Sequence, residues 1–589
     1  MYSEHLEHAF EVIENTYGIK LFQSQKELAE KMCMGHLCEM RTGGGKTYST
    51  LAAAYAKSFE SNVVVLSSNV DLVARDSATF QKLFPDITCS TIFDDSQVIF
   101  SDSANLAFCF LENMDKFNDV FLIIDEVDYV LVDSINTSYG IAADDMPLAY
   151  HTTMKSAIEA CLDLRMLPVD DITHLDVDFV CEKYDVDGIF DTNHAYLASH
   201  VDDRILTKVF RESEIKDYGL IRYVIGYTLQ ALYVMQRDKD YAVDKGKIKL
   251  IDKATGYRSE DATMDYVYQF CIEKLFGAVE KGYHIPFYSL TYPMIVRHFK
   301  DFCGCSGTMK ECTAEMLETY GKVVSVIKPE YPARFQETSH IFDTFQECIE
   351  YVKNLNNSLP ESEKILVVLR TDIDLMNFSK HMPGIKCIGS GNSDDTKFIN
   401  EIFENNKLVA STYVCSRGID IAQHINPIIV QVGITIPRQY RQIRGRTGRQ
   451  EKVGIVHRLF YLEDLDIQGF KYKYKKLPVW VQKQIFFSLC RKRDAQLEES
   501  RLSENIPRYL NHVLFYYAQS YLKDNEYARN IILPRYFYEF TESVNNRWQV
   551  LGRPQKREQG YQFYKFMEEY TDIFEDMISW LNELSRREI

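Results

Sequence analysis

Long apolar stretches are missing from this 589-residue sequence, and no run approaches the roughly 18 uncharged apolar residues that a membrane-crossing helix needs. Any membrane contact is therefore expected to be peripheral. The opening MYSEHLEHAFEVIENTYGIK is polar and acidic with no apolar centre, so neither a secretory signal nor a transit peptide is expected there. Positive charge is also short: 67 Lys and Arg stand against 85 Asp and Glu, a formal net charge of -18. A field of that sign repels a polyanion and counts against a nucleic-acid tracker, although acidic proteins do carry local basic grooves. The 14 cysteines are scattered, and Cys303, Cys305 and Cys312 lie close together without the second cluster or histidine partners of a zinc site. Reduced core thiols in a reducing cytosol are the expectation. Internal repeats and long low-complexity linkers are lacking too.

What is present is the balance of an ordinary globular protein, 46% hydrophobic and 26% charged, in a chain long enough for three or four domains. Short β-rich apolar runs at Val63 to Leu66, Phe121 to Ile124, Ile365 to Leu369 and Ile428 to Val432 read as buried parallel strands. Several are followed by loops carrying Gly, Ser, Thr, Asp and Arg, where open α/β sheets place ligands. Two such sets imply two α/β domains. Between them, Asp240 to Tyr257 alternates around Lys245-Gly246 and turns at Thr255-Gly256 as a β-hairpin would. Beyond about residue 463 strand signals fade. Phe563, Phe566, Met567, Tyr570, Phe574, Met577, Leu581 and Leu584 fall at helical spacing, so the tail is expected to be largely helical. The basic-aromatic run Phe470 to Lys476 reads as a solvated link before Pro478, with lipid headgroups or a nucleic-acid strand as the alternative contact.

The segment Met40-Arg41-Thr42-Gly43-Gly44-Gly45-Lys46-Thr47 opens a helix-forming stretch, and its backbone N–H groups are expected to wrap phosphates. Lys46 would neutralise phosphate charge and Thr47 would ligate Mg²⁺. Met40 stands where the usual phosphate-loop pattern has Gly. Downstream, the apolar run Phe121 to Ile124 delivers Asp125 and Glu126. Asp125 is expected to hold Mg²⁺ through water, and Glu126 to orient and deprotonate the attacking water. Gln442-Ile443-Arg444-Gly445-Arg446-Thr447-Gly448-Arg449 supplies positive charge, with Arg446 and Arg449 as the guanidinium forks for the departing γ-phosphate. Arg417, Gly418 and Asp420 fit a switch segment across the same cleft. Because the phosphate loop and the arginines are far apart in sequence, hydrolysis of ATP is expected to require a closed cleft, and closure to be the power stroke.

These elements in this order resemble superfamily 2 translocases, RNA helicases included, and further residues make the chain similar to the SecA preprotein-translocase motor family over roughly residues 18 to 463. Phe22-Gln23-Ser24-Gln25 resembles the family's adenine-reading glutamine element, and CEMRTGGGKT its phosphate loop with the same Met40 departure. Asn69 with LVARD, IIDEVDYVLVDSINT with Asn136 in place of an arginine, the hairpin DYAVDKGKIKLIDKATG, LTYPMIVRHFKDFCGCSGT with Gly307-Thr308, ASTYVCSRGIDI and QIRGRTGRQ complete the resemblance. A basic amphipathic N-terminal helix and a Cys-rich tail are not seen, and about 127 residues follow position 463.

The resemblance implies two RecA-like P-loop domains, residues 1–138 and 301–463. It also implies an inserted α+β clamp, a preprotein-cross-linking-like domain, at 139–300, and a shortened helical scaffold-like region at 464–589. It implies a nucleotide site of Gln25, Arg41, Thr42, Gly43, Gly44, Gly45, Lys46, Thr47, Asp125, Arg417, Gly418, Asp420 and Gln442, with Glu126, Arg446 and Arg449 catalytic. ATP and Mg²⁺ are the cofactors, unfolded preprotein the substrate, a SecYEG-type translocon a partner, and the location cytoplasmic with at most peripheral membrane contact. A nucleic-acid substrate is disfavoured by charge. An RNA helicase on the same engine and a nucleotide-dependent regulator without a translocon are the two alternatives.

Overall fold

The computed structural model describes residues 2–142, 286–462 and 484–492, except positions 42, 68, 69, 113, 135, 136, 138, 332, 333, 390–395, 417–423, 450 and 451. Elsewhere it describes 211, 237, 241–244, 247–251, 272, 273, 481, 514, 515, 518, 521, 522, 575 and 577–582. In chain order the strands are β1 (Leu37–Glu39), β2 (Val63–Leu66), β3 (Cys89–Ser90), β4 (Val98–Ser101), β5 (Phe121–Asp125), β6 (Tyr139–Ala142), β7 (Tyr241–Asp244), β8 (Lys247–Leu250) and β9 (Pro286–Leu290). They continue with β10 (Asp301–Ser306), β11 (Val324–Val326), β12 (Arg334–Phe342), β13 (Ile365–Val368), β14 (Lys386–Ile388), β15 (Leu408–Ser411), β16 (Ile428–Val432) and β17 (Val453–Tyr461). The helices that matter here are α1 (Tyr2–Tyr17), α2 (Gln23–Cys33), α3 (Lys46–Lys57) and α4 (Pro437–Arg444).

Two parallel sheets organise the chain. The first has seven strands in the order β11-β1-β10-β5-β2-β4-β3, the second six in the order β12-β17-β16-β13-β15-β14. Central strands such as Val63–Leu66 and Ile365–Val368 are buried along their whole length, so both faces carry branched apolar side chains. The four apolar runs read as strands all occupy the interior of one sheet or the other.

The return from the insertion departs from expectation. The sequence places residues 301–326 in the second α/β half, yet β10 lies between β1 and β5 and β11 pairs with β1. Cys303 and Cys305 of β10 are packed into the same core as Cys38 and Ile123. Sequence order alone hides this, because a strand inserted between two earlier ones leaves no mark in periodicity. The second sheet therefore begins at Arg334. At the edge of the insertion, β6 pairs antiparallel with β9. Within it, β7 pairs antiparallel with β8, Asp244 opposite Lys247, at the expected hairpin; the expected turn at Thr255-Gly256 lies outside the described residues.

The acidic opening carries an apolar face in the structure. Leu6, Ala9, Phe10 and Ile13 recur at helical spacing on α1 and are buried in the first sheet's core with Leu51 and Ala54 of α3. Glu14 then accepts the Leu21 N–H at 3.0 Å and pairs with Lys26 at 3.0 Å, which joins α1 to α2. Met577 and Leu581 join the other core of the first sheet, and Phe486 packs on Phe460 of the second. The remaining tail residues predicted to be helical, and the basic-aromatic run at 470–476, lie outside the described residues. Among the described residues no helix is long and apolar enough to cross a membrane.

Candidate nucleotide site between the two sheets

The glycine loop leaves β1 and closes into α3. Gly43 and Gly45 adopt φ of +81° and +82°, the left-handed region that glycine alone enters without steric cost. At Gly45 a second reason applies: a Cβ would fall 2.2 Å from the Gln25 amide nitrogen. Gln25 is fixed there by three bonds. Its Nε2 donates to the Gly45 carbonyl at 3.1 Å, its Oε1 accepts the Phe22 N–H at 2.9 Å, and its carbonyl accepts from the Ser49 hydroxyl at 2.8 Å. Met40, the residue that breaks the usual pattern, is buried beneath the loop at 2% exposure. Lys46 and Thr47 begin α3 immediately after the loop.

Opposite them, β5 ends on the two carboxylates. Lys46 Nζ lies 2.8 Å from Glu126 Oε1 and 4.0 Å from Asp125 Oδ1. Burial works against the Lys46 ammonium, but Glu126 and Asp125 outweigh it and hold its pKa above the ordinary lysine value. Burial pushes the Asp125 carboxyl up to about 6, with Lys46 pulling it down and Glu126 adding to the rise. Glu126 has φ of +51° and is the one non-glycine residue with positive φ among the described residues. Such backbone strain is characteristic of residues aimed at a ligand.

The return strand β10 braces these acids. Cys305 Sγ donates to Asp125 Oδ1 at 3.6 Å, and the Ser306 hydroxyl reaches Glu126 Oε2 at 3.3 Å. Ser306 and Thr308 also hydrogen-bond the two carboxylate oxygens of the fully buried Asp128.

The second sheet supplies the far wall through α4 and the turn after it. Gln442 Nε2 stands 3.4 Å from Glu126 Oε2, 3.4 Å from Asp128 Oδ2 and 3.2 Å from Thr308 Oγ1. Arg449 lies over the glycine loop, since a Cβ on Gly43 would be 3.4 Å from its Cγ. Arg446 is buried one turn beyond Gln442. Arg41 crosses the other way, donating to the Gly448 carbonyl with its guanidinium 5.4 Å from the Phe335 ring centre. The structure thus brings together Gln25, Arg41, Gly43, Gly44, Gly45, Lys46, Thr47, Asp125, Glu126, Gln442 and Arg449, whereas Arg446 is buried beside Cys415. Thr42, Arg417, Gly418 and Asp420 lie outside the described residues, as do Asn69 and Asn136.

Three cross-sheet ion pairs went unread in the sequence. Arg438 meets Asp133 at 2.6 Å with both side chains below a tenth exposed, and Arg441 meets Glu39 at 3.3 Å and also Glu311. A signal existed: Arg438 and Gln442 are four apart, hence on one face of α4.

The residues present fit a nucleotide with a divalent ion. The glycine loop, whose Gly45 has no room for a side chain beside Gln25, is flanked by a carboxylate and a hydroxyl-bearing helix start. Two parallel α/β sheets meeting across a glycine loop, an acid pair and an arginine wall define a protein of two RecA-like P-loop domains. Residues 1–317 match the family model described as the SecA DEAD-like domain, and the chain belongs to that family. It is 24% identical over 472 residues to the protein translocase subunit SecA of Mesomycoplasma hyopneumoniae strain J, with 73% of this chain and 46% of that protein covered. It is 23% identical over 479 residues to the protein translocase subunit SecA 2 of Staphylococcus haemolyticus, covering 74% and 57%. The chain spans about half the length of these relatives. Among solved structures, S. cerevisiae Dbp5 bound to RNA and ADP BeF3 aligns at a TM-score of 0.38 and 10% identity, over 81% of this chain and 96% of that one.

Proposed function

We propose that this chain is a SecA-type ATPase that couples ATP hydrolysis to the binding and translocation of unfolded polypeptide. The observation that carries the reading is the wiring of the acid pair: Glu126 is held by Lys46 from its own sheet and by Gln442 from the other. A group that activates water is thereby tied to the closure of the cleft.

In this reading the N–H groups of the loop and Lys46 receive the phosphates, and Gln25 reads the base. Lys46 exchanges its contact with Glu126 for phosphate oxygens, which frees Glu126 to orient water and take its proton. Thr47 and Asp125 would hold Mg²⁺, which supplies charge neutralisation at the phosphates when bound. Arg446 and Arg449 stabilise charge on the leaving group, and do so only with the two sheets together. Arg417, Gly418 and Asp420 form the switch segment. Unfolded polypeptide is taken by the inserted region 139–300, a SecYEG-type channel is the partner, and the site of action is cytoplasmic with peripheral membrane contact at most. The formal charge of -18 supports a polypeptide over an RNA client.

The test is ATPase turnover with unfolded polypeptide, RNA and translocon-bearing membranes offered in parallel. Stimulation by polypeptide, increased further by membranes, is expected. Stimulation by RNA alone would sink the proposal in favour of a helicase, and indifference to all three would leave a nucleotide-dependent regulator.

A further inference from the structure

We propose that the cavity on the opposite side of α4 from the acid pair is a binding site for a small organic polyphosphate, distinct from the nucleotide cleft. Tyr440 and Arg444 stand four residues apart on the face of α4 opposite Gln442, so this one helix presents polar groups to both places. The cavity has a volume of about 790 Å³ and is bounded by α4, β17 and the helical segment 484–492. That is the size of a pocket that encloses a nucleotide-scale ligand.

Its walls hold more positive charge than they neutralise. Arg441, Arg444, Arg458 and Arg491 all line it. Arg444 and Arg458 share one carboxylate, Glu337, at 3.7 Å and 3.9 Å, longer than hydrogen bonds. Arg441 is engaged by Glu39 and Glu311. Arg491, exposed on the helical segment, makes no ion pair among the described residues. Arg458 is held in place for an anion: its guanidinium lies 3.9 Å over the Tyr440 ring, which fixes the plane of its fork.

Independent of charge, one donor here has no acceptor: the buried Arg441 Nε makes no hydrogen bond among the described residues. The Tyr440 hydroxyl, on a residue 7% exposed, has Glu337 as its acceptor, a carboxylate already shared by Arg444 and Arg458. Burial, then the hydrogen bond to Glu337 and its charge, raise the Tyr440 pKa and keep the phenol a donor. A buried donor without a partner is costly, and a ligand rich in acceptor oxygens would satisfy it and relieve the shared carboxylate. Guanidinium forks beside a phenol suit phosphate geometry, and Phe487 with Ile485 offers an apolar wall to the organic part.

The experiment uses the full chain with Lys46→Ala, which disables the phosphate loop, titrated calorimetrically with inorganic tripolyphosphate in the absence of divalent metal. One bound tripolyphosphate per chain is expected. Arg491→Glu in that background should weaken it about tenfold or more, and Tyr440→Phe should weaken it several-fold while leaving the urea unfolding curve in place. Tyr440→Phe removes one oxygen, so an effect on binding without one on stability separates ligand contact from packing. Absence of binding in the Lys46→Ala chain, or binding that neither further substitution changes, would overturn the proposal. So would tighter binding of oligoglutamate than of tripolyphosphate, which would make the cavity an acidic-peptide site.

Discussion

The two walls of the cleft are built on different principles. On the first sheet the glycine loop, Gln25, Lys46, Asp125, Glu126 and Asp128 are fixed by short bonds within one body: Gln25 to Gly45 at 3.1 Å, Lys46 to Glu126 at 2.8 Å, Ser306 and Thr308 to Asp128. On the second sheet the polar groups of α4 reach outward. Gln442 makes three contacts across the gap, each of 3.2 Å to 3.4 Å, and Arg438 and Arg441 pair with acids of the first sheet. One wall is assembled whether or not the cleft is closed; the other has its partners only when closed. Binding of phosphate and rate of turnover should therefore separate by wall.

The largest effect belongs to the first wall. Glu126→Gln should leave nucleotide affinity near the wild-type value and lower turnover by about 10³-fold or more, because the amide cannot take a proton. Lys46→Ala should instead lose binding. Nucleotide titration and phosphate release measure the two quantities, and wild-type turnover in Glu126→Gln would remove that residue from the chemistry. On the second wall, Arg446→Ala and Arg449→Ala should each lose about 10²-fold to 10⁴-fold in turnover with far less change in affinity. Lysine should restore neither, since it lacks the planar fork. Equal losses in binding and turnover would mean that these guanidiniums act on the ground state, and the contrast between walls would fail.

The ion pair across the cleft gives a stability effect. Asp133 is 4% exposed at its side chain and holds Arg438 at 2.6 Å. Arg438→Met alone should cost about 3–5 kcal/mol, whereas Arg438→Met with Asp133→Leu should recover most of it. Urea unfolding of the single and double variants checks this, and a double variant as unstable as the single would show that the pair's worth lies in its other contacts.

Much of the first wall was legible because its chemistry is local in sequence: MRTGGGKT and FLIIDEVD each carry a strand end, a turn and its polar residues in one run. The fully buried strands were legible for the same reason, as four to five consecutive branched residues have no other home. What escaped was pairing between distant segments. The place of β10 between β1 and β5, and with it the bracing of Asp125 by Cys305 and Glu126 by Ser306, depends on strand order, which periodicity does not encode. The apolar stripe of α1 escaped for a different reason. Leu6, Ala9, Phe10 and Ile13 are spaced among His and Glu, so mean polarity masked a helical face.

The smallest effect expected is the one that best separates the walls. Gln442 Nε2 touches Glu126, Asp128 and Thr308, but none of the three depends on it: Lys46 holds Glu126, and Ser306 and Thr308 hold Asp128. Its three contacts, all at 3.2 Å or beyond, share the two hydrogens of one amide nitrogen, so together they are worth about 1 kcal/mol or less in net terms. Gln442→Ala should therefore lower turnover only a few-fold, with stability changed by less than about 1 kcal/mol. If turnover fell as far as in Glu126→Gln, the amide would be part of the chemistry and not a link to it. If instead unfolding shifted as far as in Arg438→Met, Gln442 would be a strut of the closed form. A few-fold loss with stability retained is the outcome that fits a first wall complete in itself and a second wall whose glutamine reports closure to it.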